Sequence, residues 1–225
     1  MSVLYLIRHG QAGSRDDYDR LGELGREQAR LLGDWFRAAG IEFAATISGG
    51  MRRQRETAEA VLGRAPDSID ERWNEFNMDG LWSFLGPRLR ETDPQFEADF
   101  REHHSDNTDR RWTPCDVALV RAWTRGVEAD GLESWPAFHQ RILSMRAEYE
   151  QRFAHGEAIA VFTSATPSAI WCAEALGVDA TRTFQLAGVM WNSAFSTVRV
   201  RPGELALYSL NNTPHLTEAR LRTFR

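Results

Sequence analysis

The chain contains no lysine, and all 27 of its basic residues are arginine. This absence excludes enzymes that need a lysine Schiff base, and it excludes phosphate-loop NTPases and protein kinases, whose ATP-binding motifs contain a lysine. Cysteine is also scarce, because the chain has only Cys115 and Cys172 and no Cys-x-x-Cys motif. The sequence therefore predicts neither a zinc cluster nor a redox pair.

Long apolar runs are missing as well. The run before Arg8 is too short for a signal peptide, and no stretch approaches the ~20 residues that span a bilayer. Two free thiols fit a reducing compartment, so we expect a cytoplasmic protein. A net charge of −5 with a pI near 5.7 favours neither nucleic acid nor an anionic membrane as a partner. At 225 residues and 42% apolar content, the chain can form one domain with a sizeable insertion.

The predicted elements of the first part alternate between short apolar strands and amphipathic helices. This alternation is typical of a parallel sheet with crossover helices, and it resumes late in the chain. The predicted strands cover Val3–Ile7, Phe43–Ser48 and Ala158–Thr163, and the predicted helices cover Leu21–Ala39, Met51–Leu62 and about Thr166–Leu176. The pattern also predicts a hairpin of Phe195–Val200 with Leu205–Ser209 around Pro202-Gly203. We expect a three-layer α/β/α sandwich with a mainly parallel sheet.

The alternation stops between about Met78 and Leu132. This segment is rich in Trp, Arg, Asp and His, and Pro87, Pro94 and Pro114 act as breakers. We interpret it as a mainly helical cap inserted over the site of a single domain spanning residues 1–225. The core then resumes with a helix from Ser134-Trp135-Pro136 to about Ala154.

Arg8-His9-Gly10 follows the first predicted strand directly. The glycine allows a sharp turn, which leaves His9 at the carboxyl edge of the sheet, where open α/β sheets bind their ligands. An arginine beside a histidine at that edge indicates an anion, most simply a phosphate, that meets a nucleophilic imidazole.

Three further segments accompany this tripeptide in a fixed order. Together the four resemble the histidine phosphatase superfamily, the phosphoglycerate-mutase-like proteins, over most of the chain except the insertion. The segments are Arg8-His9-Gly10, Leu21–Ala29 at the start of the first helix, Ser48–Ala58 from the second strand into the second helix, and Trp73-Asn74-Glu75-Phe76.

The resemblance implies a role for each matching residue. His9 would attack phosphorus and become a phosphohistidine, Arg8 and Arg53 would hold the phosphoryl oxygens, and Glu75 would protonate the leaving oxygen. The family needs no metal or organic cofactor, and we expect none here. Phosphoryl transfer depends mostly on positioning and electrostatics, which two permanently charged guanidiniums supply.

The sequence departs from the family pattern at a few positions. Ala12 and Arg15 stand where the family commonly has Thr and Asn, Gly22 replaces a capping Thr, and Ser164 stands where the family has its second histidine. Gln11 follows the pattern of the phosphatase-like branches, and we expect it and Ser164 to line the substrate site. Ser164 offers one neutral hydrogen bond, so the exchange could lower the rate roughly 100- to 1,000-fold.

The leading hypothesis is a phosphomonoester hydrolase that acts on a phosphorylated small molecule or phosphoprotein. The alternatives are a weak or inactive phosphate-binding protein of the same fold, and a phosphomutase. A homodimer is possible, since the family often dimerises. We interpret His139, His155 and His215 as structural, and His103 or His104 as a less favoured substitute for the missing histidine.

Overall fold

The computed structural model describes residues 2–14, 17–104, 113–127, 131–152 and 156–224. The chain divides into two compact units. The first combines Met1–Glu75 with Arg141–Arg225, and the second is Phe76–Gln140. His9, Arg53, Glu75 and Ser164 all belong to the first unit.

The described part of the first unit contains a six-stranded sheet with the order β3-β2-β4-β1-β5-β6. Strands β1 to β4 run parallel to one another, whereas β5 is antiparallel to β1 and to β6. This mixed, mostly parallel sheet confirms the predicted α/β class. The strands are β1 Ser2–Arg8, β2 Ala45–Ser48, β3 Ser68–Ile69, β4 Ala158–Thr163, β5 Phe195–Arg201 and β6 Glu204–Asn212.

The described helices follow the predicted order in the sheet-forming unit and add one element. They are α1 Glu23–Ala38, α2 Arg52–Leu62, α3 Met78–Thr92, α4 Pro94–His104, α5 Pro114–Thr124, α6 Trp135–Leu143, α7 Met145–Arg152, α8 Ala165–Leu176 and α9 Ala180–Val189. The first two pack against one sheet face, where Leu32 and Ala58 join Ile7 and Phe162 in one buried cluster. Helix α8 contacts β1, β5 and β6.

The strand register brings three loops to one edge of the sheet. Arg8, the last residue of β1, is paired with Thr163, the last residue of β4. Ser48 at the end of β2 is paired with Phe162. His9 and Ser164 therefore leave neighbouring strands at the same carboxyl edge, as the sequence predicts.

Two predictions about local structure are wrong, and one helix is missing from the prediction. Pro87 does not break a helix but lies inside α3. Because proline has no N–H, the carbonyl of Ser83 loses its usual helical partner. Both residues are exposed, so water can satisfy that carbonyl. The helix predicted from Trp135 to Ala154 is divided at Ser144. Helix α9 was not predicted, although Asp179 caps it through the backbone N–H of Arg182.

The described part of the second unit is helical and is held together by aromatic packing. The ring of Trp123 lies 5.0 Å from that of Phe76 and 5.6 Å from that of Phe138, between ring centroids. Within the described ranges, no helix is long and apolar enough to cross a membrane. Cys115 and Cys172 are free and buried.

Candidate active site

His9 lies just beyond β1 and is almost completely buried, with 2% of its surface exposed. Its backbone N–H donates to the carbonyl of Thr163, and its carbonyl accepts from the N–H of Ser193. In the ring, Nδ1 lies 2.8 Å from the carbonyl oxygen of Gly10, and Nε2 lies 3.2 Å from Nε of Arg53. A carbonyl only accepts and a guanidinium only donates, so Nδ1 carries the proton and Nε2 carries the lone pair.

The charge state of His9 follows from its surroundings. Burial, together with the positive charges of Arg53 and Arg8, holds the pKa of His9 well below its usual range. The hydrogen bond to Gly10 acts in the opposite direction but does not outweigh these effects. The imidazole is therefore neutral near pH 7, which is the form that can act as a nucleophile.

Gly10 is needed for close packing, although its φ is not among the positive values found at other glycines. A Cβ on Gly10 would lie 2.5 Å from the carbonyl oxygen of Gly25 in α1, and a Cβ on Gly25 would lie 2.2 Å from the carbonyl oxygen of Gln11. The two glycines let the start of α1 approach the loop that follows His9.

Arg53 is the arginine of α2 that meets His9. It is 6% exposed, whereas its neighbours Arg52 and Arg55 are exposed, and Arg52 donates to Glu56 instead. Its Nη1 donates to Oδ1 of Asp19 at 2.8 Å. The carbonyl of Arg53 accepts from Thr57, whose hydroxyl oxygen in turn accepts from the N–H of Gly10. Helix α2 and the loop after β1 are thus joined by hydrogen bonds next to the imidazole.

Arg8 is buried and anchored by distant backbone. Its Nη1 donates to the carbonyl of Met190, and its Nη2 donates to the carbonyl of Phe224 at 3.1 Å. Its Nε is buried and has no hydrogen-bond partner among the described residues. Such an unpaired buried donor is costly. The two backbone carbonyls hold the guanidinium in place.

Ser164 occupies the N-cap position of α8, where its side chain makes no capping hydrogen bond, and is 1% exposed. Its Oγ accepts a hydrogen bond of 2.9 Å from Nε2 of the buried Gln54, which also donates to the carbonyl of Trp73. The hydroxyl proton of Ser164 is not used in this bond. Glu75 lies at the same helix end, where its Oε2 accepts from the N–H of Thr166 at 3.1 Å.

Gln11, predicted to line the substrate site, is held by its backbone. Its N–H donates to Oε1 of Gln28, and its own Oε1 is buried without a partner among the described residues. An amide oxygen cannot donate to a phosphate oxygen, so a hydrogen bond from the Gln11 side chain to a phosphate would come from its amide nitrogen.

Several supporting residues were not identified from the sequence as part of the site. Asn192 and Ser193 both donate to the carbonyl of His9, and Ser193 adopts a left-handed φ of 60°. The Ser193 hydroxyl lies 3.0 Å from Nε2 of His215, which is buried as expected for a structural histidine. No local pattern marks these residues, because they reach His9 only through the fold.

The remaining candidates have different outcomes. His139 lies in α6, against the ring of Trp135. Arg15 and His155 lie outside the described residues, as do the side chains of His103 and His104. In the portion of the chain that is described, no cluster of three or more His, Cys, Asp or Glu could hold a metal ion.

Comparison with known sequences identifies relatives among phosphatases and mutases. Serine/threonine-protein phosphatase Pgam5, mitochondrial, of Caenorhabditis briggsae is 30% identical over 109 residues, which cover 44% of this chain and 38% of that protein. The chain thus spans about two fifths of that relative. The 2,3-bisphosphoglycerate-dependent phosphoglycerate mutase of Methylorubrum extorquens is 28% identical over 152 residues, 63% of each chain.

Solved structures show the same fold at low sequence identity. Bacillus stearothermophilus YhfR superposes with a TM-score of 0.67 at 20% identity, covering 96% of this chain and 100% of that one. The α-ribazole phosphatase of Shigella flexneri gives 0.63 at 18%, covering 94% and 96%. The model of the histidine phosphatase superfamily (branch 1) matches residues 4–213. With nearly the whole chain matched, the protein belongs to branch 1 of the histidine phosphatase superfamily.

Proposed function

We propose that the protein is a phosphomonoester hydrolase that works through a phosphohistidine on His9. The observation that carries this proposal is the state of the imidazole: Nδ1 is hydrogen-bonded to the Gly10 carbonyl, and the unprotonated Nε2 lies 3.2 Å from Arg53. A neutral, oriented nucleophile beside a fixed cation fits attack on a phosphoryl group.

The reaction balances in two steps. In the first, Nε2 of His9 forms a bond to phosphorus, the bond to the ester oxygen breaks, and Glu75 gives that oxygen its proton. In the second, a water oxygen forms a bond to phosphorus, the bond between phosphorus and Nε2 of His9 breaks, and Glu75 takes a proton from the water, so that inorganic phosphate leaves and the free imidazole is restored. In both steps the permanently charged, planar guanidiniums of Arg8 and Arg53 donate hydrogen bonds to the equatorial oxygens and neutralise their charge.

Ser164 is proposed to take part as a neutral donor. Because Gln54 already donates to its oxygen, its hydroxyl proton is free to point toward a phosphoryl oxygen. The position of Glu75 at the start of α8 places the proposed acid on the same helix end. Several relatives are named as phosphatases, which supports hydrolysis as the reaction.

The cytoplasmic location remains a prediction.

A second candidate is a phosphate-binding protein with little turnover. The serine at the position of the family's second histidine favours it, since a neutral hydroxyl stabilises developing charge less than an imidazolium does. A phosphomutase is the third candidate, and the matched mutase of Methylorubrum extorquens supports it.

The experiment measures phosphate release from a broad panel of phosphomonoesters between about pH 5 and 8, for the wild type and for His9→Ala. The proposal predicts turnover of at least one ester by the wild type and its loss in the variant. Phosphate release that is equal in the two proteins, or absent from both, would reject hydrolysis through His9. Movement of the phosphoryl group to another hydroxyl of the same compound, without net release of phosphate, would identify a mutase.

A further inference from the structure

The side chain of Arg53 is already occupied by an anion from its own chain. Oδ1 of Asp19 accepts from Nη1 of Arg53 at 2.8 Å, and Oδ2 of the same carboxylate accepts from the backbone N–H of Arg52 at 3.0 Å. Asp19 thus binds both the guanidinium and the first amide of helix α2, an arrangement that also suits a phosphate.

The same guanidinium meets both His9 and Asp19, through Nε and Nη1 respectively. Nε of Arg53 points to Nε2 of His9, so a phosphoryl group attacked by His9 must lie next to this guanidinium. The two paired side chains differ in exposure: the Arg53 side chain is 8% exposed and the Asp19 side chain is 52% exposed. The arginine is fixed by the fold, whereas the carboxylate can move into solvent.

The loop that carries Asp19 makes further contacts that do not involve the Asp19 carboxylate. The ring of Tyr18 also lies against Arg53, with its centroid 5.1 Å from Cζ. Residues 17–20 are closed by backbone hydrogen bonds from Arg20 to Asp17 and from Gly13 to Arg20. Loss of the Asp19 charge therefore leaves the loop with its own hydrogen bonds.

We propose that Asp19 is an internal competitor that sets the affinity of this site for phosphate. In the free protein its carboxylate takes the place of the phosphoryl group on Arg53 and at the start of α2. A phosphorylated ligand binds by displacing it, so part of the binding free energy is used to break the internal ion pair. This inference rests on the proposed function for the identity of the site, but phosphate binding tests it without turnover.

The test measures binding of inorganic phosphate to the full chain by isothermal titration calorimetry, at low ionic strength. Asp19→Asn keeps the shape and one acceptor oxygen but removes the charge. Asp17→Asn is the matched control, since it removes the same charge from the same loop. The Asp17 carboxylate pairs with Arg20 at 3.1 Å and with Arg52 at 4.0 Å, but not with Arg53. We expect Asp19→Asn to tighten phosphate binding roughly three- to tenfold, and Asp17→Asn to change it less than twofold.

The direction of the change separates competition from positioning. If Asp19 served to hold Arg53 in place, Asp19→Asn would weaken phosphate binding, and the proposal would be overturned. Equal binding by Asp19→Asn and the wild type would overturn it as well, by showing that the carboxylate is only a solvated charge. The two proposals can also fail separately. If the wild type releases no phosphate from any ester but Asp19→Asn binds phosphate more tightly than the wild type, the proposed hydrolase activity is refuted and the role of Asp19 is supported.

Discussion

The two ring nitrogens of His9 face different partners, and this asymmetry is the basis of the proposed chemistry. The Gly10 carbonyl fixes the proton on Nδ1, and Arg53 meets the lone pair of Nε2. Arg53 also lowers the pKa of the ring together with burial and Arg8, so the same cation that would bind phosphate keeps the nucleophile neutral.

The Ser164 hydroxyl is the proposed neutral donor. Ser164→Ala removes this donor, so the turnover number should fall about tenfold to a hundredfold. Ser168→Ala is the control, because Ser168 is buried one turn further along α8 and its Oγ has no partner among the described residues. Steady-state kinetics on the best ester of the panel compares the two variants. A similar loss in both, or in neither, would argue against a role for the Ser164 hydroxyl.

Sequence patterns identify the site residues that lie just after a strand or at the start of a helix. These residues are His9, Arg53 and Ser164. The structure brings the first two within 3.2 Å of each other, between Nε2 and Nε. The contact of Asp19 with Arg53 depends on how a polar loop folds back. The partners of Arg8, Met190 and Phe224, are close only because of the tertiary fold.

At the scale of elements, the site depends on the close approach of α1 to the loop after β1. Gly25 of α1 lies so near the backbone of Gln11 that no side chain fits between them. Periodicity predicts α1 well, and Gly22 is its N-cap as expected. Periodicity does not reveal this contact, because the distance between two backbones is set by packing.

Gly25→Ala gives the element-scale prediction. The added Cβ would meet the Gln11 carbonyl at 2.2 Å, so α1 or the loop must move. We expect a loss of about 1–3 kcal/mol in the free energy of unfolding and a lower turnover number. Gly188→Ala in α9 is the control: nothing lies within 4 Å of the added atom, and stability should rise by up to about 1 kcal/mol. Urea unfolding measures both, and an unchanged Gly25→Ala would show that the contact is not tight.

At the scale of the whole molecule, two buried histidines connect folding to pH. Burial lowers the pKa of His215 to about 4, and burial with two arginines lowers that of His9. In the unfolded chain both would take up a proton near pH ~6.5, but in the folded chain they stay neutral below that value. The unfolded state then binds more protons, so the stability of the fold falls as the pH falls.

The free energy of unfolding should therefore decrease between pH ~6.5 and ~5, by up to about 1.4 kcal/mol per pH unit for each histidine. His215→Gln removes one titrating group while offering Ser193 a polar partner, so the slope should be roughly halved. Urea titrations at closely spaced pH values measure the slope. A stability that is constant over this interval would contradict the neutral state of the buried rings.

The proposed mechanism requires His9 to carry the phosphoryl group during turnover. To detect it, the protein is mixed with the best ester of the panel and quenched in alkali, where phosphohistidine survives, and the label is located by peptide mass spectrometry. We expect one phosphoryl group on the peptide that contains His9, lost in acid and absent from His9→Ala. Turnover without any label on His9, or a label on another residue, would rule out a phosphohistidine on His9.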